Sequence, residues 1–276
     1  MICQIRGVQY AYRWLQPYNN TLPTMVALHG FTGTSETFVP MFDQKQNYNV
    51  LAIDLIGHGQ TSVYVHPLRY EIPQLVADLA ELMTRLAVSE YFIYGYSMGA
   101  RVALAWTVLF PEAVAGLIME SGSPGIAAAA ERAVRFKQDR RLAIKLMEGT
   151  LVEFVDYWQS LPLFSSQNEL PETQQMRVRE GRLRQIPFGL AMSLVYGGTG
   201  KQPSYWGALA NIRCPILYVA GEKDRKFQEI GLRMKEIQPT ITYQVIPAAG
   251  HCIHLEQPRM LLQNINQWIK GIDVTA

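Results

Sequence analysis

The chain has 276 residues, 49% hydrophobic and 17% charged, enough to bury one large α/β core and too apolar for a disordered polypeptide. Its formal net charge of +2 is too small to point to nucleic acid or an anionic membrane as partner. Three cysteines (Cys3, Cys214, Cys252) without CxxC spacing indicate neither a disulfide framework nor a zinc site, and they fit a reducing cytoplasm.

The first residues, MICQIRGVQYAYRWLQ, alternate polar and apolar letters. They predict an antiparallel edge hairpin over Cys3–Leu15 and no signal or transit peptide. No window approaches 18 apolar residues, so no membrane span is expected. Short apolar runs then alternate with helix-period segments. Strands are predicted at Thr24–Leu28, Val50–Asp54, Tyr91–Tyr96, Gly116–Glu120, Ile216–Ala220 and Ile241–Ile246. Helices are predicted at Pro73–Ala87, Met98–Phe110 and Gln257–Ile269. Several strands are apolar on consecutive positions, as parallel strands covered on both faces require. The pattern is doubly wound α/β, with a mostly parallel sheet. The rhythm breaks between Ser123 and Gly207, where only helical patterns occur. Residues 1–122 and 208–276 are therefore read as the core and 123–207 as an inserted helical cap.

The chemistry centres on Gly95-Tyr96-Ser97-Met98-Gly99, a G-x-S-x-G directly after one strand and directly before a helix. The two glycines permit a sharp strand-to-helix turn that lifts the Ser97 hydroxyl off the sheet edge. The same turn aims the Met98 amide at whatever Ser97 attacks. A serine needs an adjacent base, and His251, after the last strand, lies at the same carboxyl edge. Asp224, after the preceding strand, completes the order Ser…Asp…His. His254 is the rival base, read as a capping or packing residue; Glu222 and Asp54 are the rivals of Asp224. A second oxyanion donor falls to the Phe31 amide in LHGF (Leu28–Phe31). His29 in that turn and His58 in DLIGHGQTS (Asp54–Ser62) are read as structural.

LHGF, DLIGHGQTS, GYSMG, GEKD and AGH occur in this order over nearly the whole chain, which resembles the α/β-hydrolase family. Ile56 stands where that family often has proline.

Arg101 is an electrostatic misfit: the first turn of a helix disfavours a cation. Physics alone leaves two partners open, an internal carboxylate such as Glu120 or an anionic substrate. The cap adds Arg132, Arg135, Arg182 and Arg184, and residues 124–206 carry a net +3. Arginine's planar fork pairs bidentately with carboxylates.

GYSMGAR, SPG (123–125), ERAVRFKQD (131–139), WQSLPLF (Trp158–Phe164), RLRQ (Arg182–Gln185) and AGHCIHLE together resemble a narrower group. This is the 2-succinyl-6-hydroxy-2,4-cyclohexadiene-1-carboxylate (SHCHC) synthases of menaquinone biosynthesis. The resemblance implies a carbon–oxygen lyase whose Ser-His-Asp triad eliminates pyruvate instead of hydrolysing a bond. It implies a small polycarboxylate substrate bound by Arg101, Arg135 and Arg184, with Tyr96 and Trp158 lining the pocket. No metal or organic cofactor and no nucleic-acid or membrane partner is expected, and the enzyme is expected to be a monomer. Cys252 is a departure that bears on packing. Two other readings stay open: a carboxylesterase or carbon–carbon bond hydrolase using the same triad, and a catalytically silent hydrolase-fold receptor.

Overall fold

The computed structural model describes residues 1–272. Its core is one eight-stranded sheet in the order β1-β2-β4-β3-β5-β6-β7-β8. The strands are β1 (Ile2–Ile5), β2 (Val8–Trp14), β3 (Thr24–Leu28), β4 (Asn49–Ile53), β5 (Tyr91–Tyr96), β6 (Val114–Glu120), β7 (Ile216–Gly221) and β8 (Thr242–Ile246). β1 and β2 form the antiparallel edge hairpin, β2 runs antiparallel to β4, and every pairing from β4 to β8 is parallel. The central strands β3, β4 and β5 are buried at every position, which explains their unbroken apolar runs.

Helices cover both faces. α1 (Ile72–Arg85) and α2 (Met98–Leu109) pack on one side with α7 (Arg225–Ile237). α9 (Pro258–Lys270), preceded by the single turn α8 (Ile253–Glu256), packs on the other. α1 begins with a proline in its first turn and buries Leu75, Val76, Leu79, Leu82 and Met83 along one stripe. α2 has no such stripe. Its apolar residues from Val102 to Trp106 are all buried, because the helix is enclosed by the sheet, α1 and the segment above it.

The approach of α2 to the sheet depends on Gly99. A Cβ there would press into the backbone carbonyls of Leu28 and His29 on β3 and the following turn, which cannot move aside as a side chain can. Gly99→Ala is therefore expected to cost about 3 kcal/mol, the upper part of the overpacking range. Chemical denaturation would check this; an unchanged unfolding midpoint would contradict it.

Between β6 and β7 lie four helices: α3 (Ala129–Glu148), α4 (Leu151–Gln159), α5 (Glu172–Leu183) and α6 (Pro187–Gly197). They hold a small core of their own, built from Ala143, Leu146, Phe154, Leu190, Ala191 and Leu194 and continued by Phe31 and Trp158. Gln185, between α5 and α6, seats this layer on the sheet's carboxyl edge. Its amide oxygen accepts from Gly59 N (3.0 Å), and its Nε2 donates to Thr32 O and Gly33 O (both 3.2 Å). Among the described residues no helix is long and apolar enough to cross a membrane.

Candidate active site

Ser97 sits where β5 ends and α2 begins, with φ +52° and ψ −104°. This left-handed backbone is costly for a residue with a Cβ. It is held by Ser97 N donating to Glu120 O on β6 (2.9 Å) and by Arg101 N donating to Ser97 O (3.2 Å). The turn leaves Ser97 half-buried at the floor of a cavity. His251, in the turn after β8, places Nε2 3.0 Å from Ser97 Oγ. Its Nδ1 lies 2.7 Å from Asp224 Oδ2, at the start of α7. His251 and Asp224 are 2% and 6% exposed, and the imidazole is walled by Phe227 (ring centroids 4.6 Å), Tyr96 (5.4 Å) and Phe164 (6.1 Å). A carboxylate on Nδ1 leaves Nε2 as the acceptor facing the hydroxyl.

The rival residues are engaged elsewhere. Glu222 accepts from Ala248 N, and Asp54 accepts from Ser35 N and Gln60 N. His254 is buried and bonds Glu120 through both its amide (3.0 Å) and Nδ1 (2.8 Å). The other Glu120 oxygen accepts from the Tyr94 hydroxyl. His29 accepts from Leu55 N at Nε2, and burial pushes its pKa down. Burial and the nearby His29 push His58 down to about 3, so the two are neutral fittings of their turns.

The cavity above Ser97 holds about 490 Å³ and is roofed by α3, α4 and α6. Phe31, Met98, Tyr96 and Trp158 line it. The Phe31 ring meets the Trp158 ring edge-on at 5.1 Å, and the Trp158 indole N–H is buried without a partner. Four cations also line it: Arg101, Arg135, Lys226 and Arg233. Arg101 does not pair with Glu120, which Tyr94 and His254 occupy. Its Nη1 donates instead to two neutral oxygens, Gly197 O (3.1 Å) and Gln202 Oε1 (2.7 Å). Burial and the neighbouring Arg135 push its pKa down to about 10, so it keeps its charge at neutral pH. Arg135 Nε donates to the buried Asp139 (2.7 Å), which also accepts from Gly200 N (3.0 Å). Asp139 and Glu131, which also line the cavity, offset two of the four cations and leave the cavity cationic. Among the described residues no group of three or more His, Cys, Asp or Glu side chains comes together to hold a metal ion.

Comparison with known proteins places the chain in a family. The family model for the α/β-hydrolase fold matches residues 23–258. A SHCHC synthase from Photorhabdus laumondii is 30% identical over 85% of this chain and 81% of its own length. A Bacillus subtilis protein provisionally given the same name is 38% identical over 96% of both chains. The chain belongs to the SHCHC synthase family of the α/β-hydrolase fold. The solved structure of MenH from S. aureus superposes with a TM-score of 0.85 at 34% identity, covering 95% of this chain and 97% of that one. An esterase from Thermogutta terrifontis, 23% identical with a TM-score of 0.80, shares the fold.

Of the arginines that the synthase resemblance implies, the structure brings Arg101 and Arg135 to the Ser97 cavity but not Arg184. Arg184 is 68% exposed in its side chain and faces Glu36 (3.7 Å) and Glu180 (3.6 Å). The buried arginine of RLRQ is Arg182, 6% exposed. Residues two apart on a helix point in divergent directions, so the end of α5 buries only one of the pair. Arg182 lies in an adjoining cavity of about 160 Å³, which the exposed Arg184 also lines and which Phe31, Tyr96 and Phe164, lining both, separate from Ser97. Its Nη2 donates to Gln167 Oε1 (3.2 Å), its guanidinium stands 5.3 Å from the Phe164 ring centre, and its Nη1 has no partner. Cys252 works there as packing: its sulfur meets the Tyr96 hydroxyl and Gln167 Nε2, and burial pushes its thiol well above the usual range.

Proposed function

We propose that this chain is a SHCHC synthase acting in menaquinone biosynthesis. In this reading it eliminates pyruvate from 2-succinyl-5-enolpyruvyl-6-hydroxy-3-cyclohexene-1-carboxylate. Ser97 Oγ takes a proton from the carbon beside the succinyl ketone as His251 Nε2 takes the hydroxyl proton. Asp224 steadies the resulting imidazolium. Negative charge collects on the ketone oxygen, where the Phe31 and Met98 amides and the α2 N-terminus stabilise it. The enolate then expels the enolpyruvyl oxygen. The carbon–oxygen bond breaks, a ring double bond forms, and the His251 proton returns to the enol carbon of the departing pyruvate. No water is consumed, and no covalent enzyme intermediate is needed.

The observation that carries this reading is Arg101, a charged guanidinium beside the triad with only neutral partners. A pocket for uncharged esters has no use for it, and a carboxylated substrate does. The core of residues 1–122 and 208–276 supplies the triad in this scheme. The cap of residues 123–207 supplies Arg135 and Trp158. The expected substrate is a small polycarboxylate and the expected compartment the cytoplasm.

The test is pyruvate release from the enolpyruvyl substrate beside turnover of a neutral ester. Arg101→Ala removes only two hydrogen bonds to neutral carbonyls, so it should stay folded. It should lower kcat/KM for the carboxylated substrate about 10- to 100-fold, the worth of a charged hydrogen bond, and change ester turnover far less. No pyruvate release by the unaltered enzyme, or equal losses on both substrates, would remove the basis of the proposal.

A further inference from the structure

Arg101 is not the only cation in a helix's first turn facing the Ser97 cavity. Lys226 occupies the first turn of α7, where the helix dipole also disfavours positive charge and the nearby carboxylate, Asp224 at the N-cap, is engaged by His251. Lys226, Ile230 and Arg233 follow at spacings of four and three, so they share one face of α7, and all three line the cavity. Arg101 is half-buried, whereas Lys226 and Arg233 are exposed, which puts these two at the mouth. Partial desolvation and the charge of Arg135 lower the Lys226 pKa, with Asp224 acting in the opposite direction, so its ammonium feels a cation deeper in the site.

Neither mouth cation is tied to a carboxylate. Among the described residues neither forms an ion pair. Glu229 stands four residues before Arg233, the order and spacing that favour a surface pair. Arg233 instead lays its guanidinium 4.2 Å from the centre of the Trp206 ring, another cavity residue. A guanidinium held flat on an indole keeps its edge free for a planar anion. Lys226 stands about two helical turns away with Ile230 between them. Its ammonium is 5.4 Å from the Phe227 ring, which in turn packs on His251.

We propose that Lys226 and Arg233 form an outer anion subsite of the Ser97 cavity, which takes the substrate carboxylate farthest from the reacting carbon. This rests on the reading of the substrate as a polycarboxylate. Arg101 and Arg135 hold an inner carboxylate, and the outer pair adds a second anchor that a monocarboxylate held at the inner one cannot span. Selectivity for a molecule of the right length then follows from the separation of the two anchors. Because the outer pair is exposed, its share of affinity is the more salt-sensitive one.

The test is calorimetric binding of tricarballylate and of acetate to the full chain, unaltered and as Lys226→Gln/Arg233→Gln, at low and high salt. Binding requires no turnover, so the result stands apart from the elimination chemistry. The expected result is an approximately tenfold weaker tricarballylate affinity in the double variant. Its salt dependence should be shallower and its acetate affinity little changed. Equal tricarballylate binding in both proteins overturns the subsite and leaves the polycarboxylate reading standing. Equal fold-losses for both anions also overturn it, because they mark a general disturbance of the cavity. If the unaltered protein binds tricarballylate no more tightly than acetate, the polycarboxylate reading itself fails, and the subsite fails with it.

Discussion

Replacing Ser97 by alanine is expected to lower pyruvate release roughly 10³- to 10⁴-fold, the upper part of what a positioned acid–base group contributes. The loss should appear in kcat, because the hydroxyl acts on the proton in flight and holds little of the substrate. Stability should hardly change. The Oγ makes one hydrogen bond, to His251 Nε2, and alanine meets the same left-handed backbone that serine already tolerates. A variant that keeps a tenth or more of the activity at an unchanged melting temperature would show that the base is another group. A variant that loses activity only because it melts early would leave its circular-dichroism transition as evidence. The two failures are separable by one assay and one thermal scan.

Glu120→Ala is expected to have the largest effect on the fold. The carboxylate is fully buried at the end of β6. It receives the Tyr94 hydroxyl, the His254 amide and the His254 imidazole, three donors from two other parts of the chain. Alanine leaves all three without an acceptor in the interior, each at about 1–3 kcal/mol. A loss of at least about 3 kcal/mol follows, or roughly 6–12 °C in Tm for a chain of this size. Activity should fall as well, because the Glu120 carbonyl anchors the Ser97 amide and His254 packs its ring 4.5 Å from Tyr96. Glu120→Gln keeps an acceptor for His254 and should recover most of the stability. Equal melting of Glu120→Ala and the unaltered protein would mean that this buried cluster contributes nothing to folding.

The difference between what the sequence displayed and what it concealed has a physical pattern. Ser97, Asp224, His251, Phe31 and Met98 all sit immediately after parallel strands. An apolar run followed by a turn is a local signal, and the parallel topology collects such turns at one edge without further information. The sheet itself was legible for the same reason, down to the edge hairpin at residues 2–14. The arginines obey a different rule. Whether Arg182 or Arg184 turns inward is decided by the phase of α5 against its neighbours, and RLRQ reads identically in either phase. The partner of Arg101 depended on where Glu120 spends its oxygens, and that is settled by Tyr94 and His254 from separate elements. The stripe Lys226–Ile230–Arg233 lies on α7, a helix outside the three predicted ones, and its facing the cavity depends on how α7 docks. Gln185 carried no signal at all, since a neutral amide becomes informative only when three backbone groups from two distant turns meet it.

That amide has a mechanical consequence. Gln185 ties the α5–α6 junction to Thr32 and Gly33, the residues directly after the Phe31 amide assigned to the developing oxyanion. Raising the roof must break these bonds and release the very turn on which that amide is mounted. Displacement of the roof at this junction and loosening of the turn that carries the proposed donor are then coupled through one side chain.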